Sequence, residues 1–406
     1  MVFIIRIFFG IFLGILALYP AGGMENFNEP VVLSMMETGA FSIVERSDWR
    51  RFDNGLYTGL VYQEVRGSVL PVAPEEYNSV SNDALLYRPA KLYRGNFYVL
   101  QNTIVNARHS AQVLDEVIPV CFELHHNGEI SIENDRGFPR LRGFPVFPEG
   151  PLRPGDKWQA AGSRAADPLN SGFPLIIPIY VEYEYRGIEV YRDMQVHRIN
   201  AAYASRYQSE FPEENGISRV QGSHRVDILV RVEDGLPVFM RDTLDLTYTL
   251  SDQSTIRFAG FTLTFGQGIV PLDREQMTAS IEIPETDIIT IPEGIRLMIR
   301  DIRFVPDLAE FLPEENYRLD LIAQALEQIP NRTFLVEGHT AAVNRPAEEM
   351  ELSIERARRM VDELVRRGIS ADRFIYKGWG GTKPIDDNTH ETGRSRNRRV
   401  EITVLE

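Results

Sequence analysis

The sequence predicts a multidomain chain in which β-rich N-terminal and central domains precede a small α+β sandwich of order β-α-β-α-β-β. Three observations carry this expectation. From about residue 26 to 284, apolar and polar residues alternate in runs separated by turn signals, the pattern of half-buried strands. Beyond Pro292-Glu293-Gly294 the apolar period lengthens to that of helices, and short strand-like runs fall between the helical stripes, as in a layer of helices on a mixed sheet. The chain has 406 residues, enough for several independent cores.

The first segment, residues 1–23, reads as an export signal: one cation, Arg6, then an apolar run and the small residues Ala21-Gly22-Gly23,. The unbroken run Ile7 to Tyr19 is shorter than the roughly 20 residues of a spanning helix. Cleavage near Ala21 to Gly23 is therefore expected, with retention as an anchor, Arg6 snorkelling, as the alternative. Cys121 is the only cysteine, so the chain forms no internal disulfide and offers no thiol after the signal for lipid attachment. Its apolar surroundings, Ile118 to Leu124, predict a buried thiol.

Two β-rich domains are expected, 25–142 and 143–285, divided by the Pro/Gly-rich stretch Gly143 to Trp158, because prolines lack a ladder donor. Within them Asn127-Gly128 and Asp234-Gly235 mark turns, and Tyr180 to Tyr185, Arg186-Gly187 and Ile188 to Tyr191 form a hairpin pattern. The expected strands are mostly shorter than the ten or so residues a membrane barrel uses, which argues against a lipid-spanning barrel. Residues 286–296, with Pro292 following extended-favouring side chains, read as a linker.

The last domain, 297–406, opens with a strand-like run, Leu297 to Phe304. Leu319, Ile322, Leu326 and Ile329 then form a helical stripe after Pro313-Glu314-Glu315, a good first turn. Met350, Ile354, Ala357, Val361 and Leu364 form a second stripe closed by Gly368. Further strands are expected at 333–337, 374–377 and 399–405.

Net charge is −15, from 43 basic and 58 acidic residues. Residues 290–406 contain 21 acids and 18 bases, so −12 of that charge lies in the preceding part. Such a balance speaks against nucleic acid, which requires a basic face. No nucleophile elbow, His-Glu-x-x-His helix or phosphate-cradling loop occurs. His125 and His126 point to opposite faces of a strand, and His109, His197, His224 and His390 lack partners at ligand spacing. Neither an enzyme, a metal site nor a cofactor is expected.

The densest pattern is C-terminal: Glu337-Gly338-His339-Thr340, Leu352-Ser353, Arg356-Ala357, Gly378, Pro384, Asn388, Gly393-Arg394, and Asn397 to Ile402. With Phe304 to Glu314 it resembles the OmpA-like peptidoglycan-binding family over about 110 residues from Met298 onward. The resemblance implies noncovalent binding of the peptidoglycan stem peptide through its diamino acid. Arg356 matches the arginine that grips the diaminopimelate carboxylate, and its planar fork suits paired charge-assisted bonds. Asp307, Thr340 and Arg398 match further contact positions. Two positions depart: Ala341 replaces the aspartate that receives the ligand ammonium, and Glu349 replaces an asparagine.

Losing that carboxylate is expected to cost about 1.5 to 3 kcal/mol, or roughly ten- to a hundredfold in affinity. Glu349 is the nearest sequence candidate for a substitute anion. His339 is expected to be a packed framework residue, and Gly338, Gly378 and Gly393 to occupy places where a side chain would clash. The resemblance thus implies an exported envelope protein, periplasmic and associated with cell wall or outer membrane. It docks on peptidoglycan with altered diamino-acid selectivity, and its β domains face an outer-membrane or periplasmic protein. The alternative is a structural or interaction module whose C-terminal domain has lost wall binding.

Overall fold

The computed structural model describes residues 29–35, 39–73, 90–100, 112–169, 171–212, 216–269, 274–291, 294–300, 302–304, 309–329 and 332–405. The export signal, 1–23, and Asp307 lie outside the described residues. The β-rich part contains β1 (Phe41–Asp53), β2 (Leu56–Pro71), β3 (Ala90–Leu100), β4 (Gln112–His125), β5 (Ile130–Ser131), β6 (Leu141–Arg142), β7 (Lys157–Ala166), β8 (Leu175–Tyr191), β9 (Met194–Gln208), β10 (Ile217–Arg231), β11 (Pro237–Leu250) and β12 (Thr255–Gly268).

Alternation in sequence becomes two-faced strands. β8 buries Leu175, Ile177, Ile179, Val181, Tyr183 and Tyr185 and turns Pro178, Tyr180 and Glu182 outward, because successive side chains point to opposite faces. The ten long strands run β4-β3-β2-β1-β12-β11-β10-β9-β8-β7, each antiparallel to its neighbour. They curve around one core to which all ten contribute or against which they pack.

The expected division into domains 25–142 and 143–285 is therefore corrected to one curved sheet. β1 and β12 pair over their whole length, from Phe41↔Gly268 to Asp53↔Ile256. That pairing joins the two halves across some two hundred residues, and alternation carries no information about a strand's distant partner. The Pro/Gly-rich stretch does not separate cores but fills one. Phe144, Val146, Phe147 and Leu152 are buried in it, and Trp158 Nε1 donates to Val146 O at 2.8 Å.

Other local expectations shift for equally local reasons. Arg186-Gly187 is a bulge inside β8, and the turn lies at Arg192-Asp193, both at positive φ (48° and 64°), as a two-residue hairpin requires. The strands are long, 17 residues in β8 and 16 in β2. What argues against a lipid-spanning barrel is instead the outer face, where Arg198, Arg206, Arg219, Arg225, Arg241 and Asp245 are exposed, the inverse of an apolar lipid-facing band. Cys121, expected inside, is exposed, because Val120 and Phe122 take the inward positions of β4.

The C-terminal part begins earlier than expected. After α1 (Arg274–Ser280) come β13 (Thr286–Ile291), β14 (Gly294–Ile299), α2 (Asn316–Glu327), β15 (Phe334–Gly338), α3 (Pro346–Arg366), β16 (Phe374–Gly378), α4 (Glu391–Asn397) and β17 (Val400–Leu405). The segment 286–296 is thus a hairpin and not a linker: β13 pairs with β14, and β14 with β17. The mixed sheet runs β13-β14-β17-β15-β16, with β15 and β16 parallel. Both predicted stripes bury against its one face, Leu319, Ile322, Leu326 and Ile329 from the first and Ala357, Val361 and Leu364 from the second.

The two parts pack directly. The edge strand β16 pairs in parallel with the start of β4, Ile375↔Gln112 and Tyr376↔Val113. Tyr98, Leu100 and Leu114 form one buried cluster with Leu335, Ile375 and Leu405. Arg66 donates to Asp372 O at 2.6 Å, and Lys377 Nζ to Asp115 O at 3.1 Å. An edge that would otherwise expose unpaired backbone groups is thereby covered.

Candidate functional site

The C-terminal ends of the parallel strands β15 and β16 deliver two loops side by side. Trp379 N donates to Gly338 O and Thr340 N to Gly380 O, each at 3.0 Å. α3 presses on both strand ends at Ser353, whose Oγ donates to Met350 O at 2.7 Å and accepts from Gly380 N at 2.9 Å. A Cβ at Gly338 would collide with Ser353 O, and one at Gly378 with Ser353 Oγ. Neither glycine has positive φ, so close approach of helix to strand is what excludes a side chain there. Gly393 is likewise pressed on Asp387 O.

This framework carries the expected site residues. Arg356 lies one turn beyond Ser353 on α3, 8% exposed, with its guanidinium carbon 4.7 Å from the centre of the Phe304 ring, a favourable cation–π distance. Thr340 is buried, and its Oγ1 has no hydrogen-bond partner among the described residues. Ala341 follows it, 6% exposed, an apolar methyl in the wall.

Glu349 is already engaged. Its Oε1 accepts from Val343 N at 2.6 Å and Arg345 N at 3.0 Å, tying the loop after Ala341 to the first turn of α3, where a carboxylate also meets the positive helix end. Arg398 is more open and pairs with Glu391 Oε1 at 2.6 Å, which, with Arg394, holds the Glu391 carboxyl below its usual range. The loop before α4 is organised by Asn388 and Asn397. Asn388 Oδ1 accepts from Ala342 N at 3.1 Å and Asn397 Nδ2 at 2.9 Å, while Asn397 Oδ1 accepts from Ile385 N and Asp386 N. The loop carrying Thr340 and Ala341 is thus tied by backbone bonds to Gly380, Glu349 and Asn388, while Arg356 contacts Phe304 and Arg398 follows the asparagine that closes the same loop.

Beneath the loops lies an ionic framework. Glu401 takes Arg399 Nε at 2.7 Å and Arg296 at 3.0 Å, and Glu337 accepts Trp379 Nε1 at 2.7 Å. His339 is enclosed with them, its Nε2 3.6 Å from Glu401. Burial first, then the cations Arg399, Lys383 and Arg296, bring its pKa down to about 3.

Sequence reasoning missed a second polar cluster, inside the curved sheet. Ser205 Oγ lies 3.1 Å from His224 Nε2, and His224 Nδ1 lies 3.0 Å from Asp242 Oδ2. The three stand on inward positions of adjacent strands, visible only once the registers of β9, β10 and β11 are known. The order resembles a nucleophile relay, but its surroundings do not. Asp242 is also paired with Arg164 at 3.2 Å, the His224 ring stacks on Tyr203 at 4.2 Å, and Ser205 is 0% exposed. Burial lowers the His224 pKa, and a nucleophile sealed from substrate performs no transfer.

Comparison with known proteins places the C-terminal domain in a family. Residues 303–398 match the model described as the OmpA family. Over 105 residues the chain is 36% identical to outer membrane protein A of Bordetella avium, covering 26% of this chain and 54% of that protein. Over 103 residues it is 34% identical to the peptidoglycan-binding protein ArfA of Mycobacterium tuberculosis, covering 25% of this chain and 32% of ArfA. The chain thus spans between a third and about half of the length of these curated relatives. Among solved structures, the cell wall anchor of the T6SS from Pseudomonas aeruginosa is 31% identical, covering 32% of this chain and 96% of that one at a TM-score of 0.28.

Proposed function

We propose, from the premise that residues 303–398 are an OmpA family domain, that this exported envelope protein docks noncovalently on peptidoglycan through that domain. The domain is a binding module and not an enzyme. Thr340 Oγ1 carries the reading: a buried hydroxyl beside Ala341 without a partner among the described residues leaves hydrogen-bonding capacity that a bound ligand satisfies. Arg356 supplies the cation for the stem's carboxylate, with Asp307 and Arg398 as flanking contacts. Glu349 acts by holding the loop, since its Oε1 already accepts two backbone donors; it is a poorer substitute for the missing aspartate than its position in sequence suggests.

With Ala341 in the wall, the ligand's ammonium meets a methyl where the family carries a carboxylate. Selectivity therefore rests on Arg356 and favours stems whose diamino acid bears a free carboxylate; a side chain ending in an amine alone fits poorly. The buried apolar Ala341 also favours a second reading, a domain retained for envelope contacts without wall binding. Co-sedimentation of the full chain with purified sacculi separates the two. The proposal expects retention that Arg356→Ala reduces at least tenfold, and equal retention of both proteins overturns it.

A further inference from the structure

The outer face of β9 to β12 is rich in arginine, although the chain as a whole has a net charge of −15. These four strands contain seven arginines and three aspartates and neither lysine nor glutamate, and one of the aspartates, Asp242, is buried in the interior. Three of the arginines are answered locally: Arg198 by Glu189, Arg231 by Asp234 and Arg257 by Asp245. The other four, Arg206, Arg219, Arg225 and Arg241, are exposed and make no ion pair or side-chain hydrogen bond among the described residues. Arg241 only lies over the Phe261 ring, at 5.2 Å.

Strand register gathers these four into two pairs. Arg206 stands opposite Gln221, and so two positions along from Arg219. Arg241 stands opposite Asp227, and so two positions along from Arg225. Diagonal neighbours of this kind are within reach of each other's long side chains, and two like charges held so close favour an anion between them. Arg219 and Arg225 are six residues apart on β10, which separates the pairs by about 20 Å.

The pairing and the ground between the pairs say what the face takes. A guanidinium is a planar fork that grips two oxygens of one anion. A carboxylate has only two oxygens and a single charge, so one fork saturates it, whereas a phosphate group offers three oxygens and a charge of roughly −1.5 to −2, enough for two forks. Between the pairs lie Ala204, Gln221, Ser223 and Thr247, with Asp245 held by Arg257. These small or hydrogen-bonding side chains suit sugar hydroxyls. They supply no apolar anchor of the kind on which protein interfaces centre, and no aromatic ring stands among them for a nucleobase to stack on.

We propose that this face binds a phosphorylated glycan, with one phosphate on Arg206 and Arg219, another on Arg225 and Arg241, and the intervening sugars over Gln221, Ser223 and Thr247. The attraction is local: it acts through four guanidinium groups that the protein leaves without a counter-charge, and it overcomes the negative charge of the rest of the chain because solvent and salt screen distant charges.

The test is biolayer interferometry of the full chain on immobilised phosphorylated dextran, with carboxymethyl dextran of equal charge density, poly-L-glutamate and single-stranded DNA as the other surfaces. Binding to phosphorylated dextran is expected, weakening from about 25 to about 300 mM NaCl as the charges are screened. The double variant Arg219→Gln/Arg225→Gln takes one guanidinium from each pair and is expected to lower the affinity about tenfold or more. Its circular dichroism spectrum should be kept, because both side chains are exposed. Arg153→Gln, a like change of charge at an exposed arginine outside this face, is expected to leave binding unchanged. No binding to phosphorylated dextran, unchanged affinity in the double variant, or an equal loss in Arg153→Gln overturns the site. Carboxymethyl dextran bound as tightly as phosphorylated dextran overturns the phosphate assignment. Tighter binding of poly-L-glutamate or of single-stranded DNA overturns the glycan, in favour of an acidic peptide or a nucleic acid.

Discussion

At the scale of single residues, the proposed function gives Ala341 and Arg356 opposite contributions to one site, and each is tested by one substitution. Ala341→Asp is expected to strengthen binding of diaminopimelate-containing stems roughly ten- to a hundredfold, the equivalent of a charged hydrogen bond, read by titration with a defined stem peptide. Flat affinity would mean that the loop held by Glu349 and Asn388 no longer presents that position to the ligand. Glu349→Ala is expected to cost about 2 kcal/mol of stability, because two backbone donors lose an ionised acceptor, with Glu349→Gln recovering part of it in urea denaturation. Buried histidines give the residue scale a pH signature. His339 titrates in the fold near 3 and His197 near 4, both pushed down first by burial, whereas an unfolded imidazole titrates near 6.5. Between those limits the unfolded chain binds more protons, so stability falls as pH drops from about 6.5 toward 4. The expected slope approaches 1.4 kcal/mol per pH unit for each histidine, and His339→Gln should flatten it in unfolding curves measured at pH 7, 5.5 and 4.5.

Among elements, the contact of α3 with β15 and β16 decides whether the site exists. Gly338, Gly378, Ser353 and Ala357 allow the helix to lie against the strand ends, which sets Arg356 relative to the loop carrying Thr340. Gly338→Ala is expected to destabilise the protein by about 1 to 3 kcal/mol through overpacking and to lose sacculus binding with it. A Gly338→Ala variant of native stability that still binds would show that the helix has room to retreat. Most of this element was legible beforehand: the two apolar stripes and the strands at 334–338 and 374–378 lie within a residue or so of where periodicity put them. What was not legible is α4, whose Glu391–Asn397 stretch has too few apolar residues to show a period, and the roles of Asn388 and Asn397. Their amides satisfy loop backbone groups, and such roles have no sequence pattern of their own.

For the whole molecule, the decisive contact is between the curved sheet and the C-terminal domain. Tyr98, Leu100 and Leu114 of one part bury Leu335, Ile375 and Leu405 of the other, and β4 continues the sheet edge at β16. Joined this way, the two parts are expected to unfold in one cooperative transition. Leu114→Glu places a charge in that cluster and is expected to separate it into two transitions by calorimetry. A single transition of unchanged width in the variant would mean that the parts are coupled elsewhere.

Local chemistry in the sequence was enough for the C-terminal domain, because its signals are short-range: helical stripes, turn glycines and a motif whose members lie within seventy residues of one another. Ala341 was singled out by the resemblance to the OmpA-like family and not by local chemistry. Only the tertiary structure decided that the β-rich part is one sheet, that residues 286–296 belong to the C-terminal sheet, and that Ser205, His224, Asp242 and Arg164 meet in its interior. Alternation tells a strand which side is buried and not which strand it pairs with. The pairing of β1 with β12 and the ion pair of Arg164 with Asp242 both arise from contacts between residues far apart along the chain, where no local pattern records the partner.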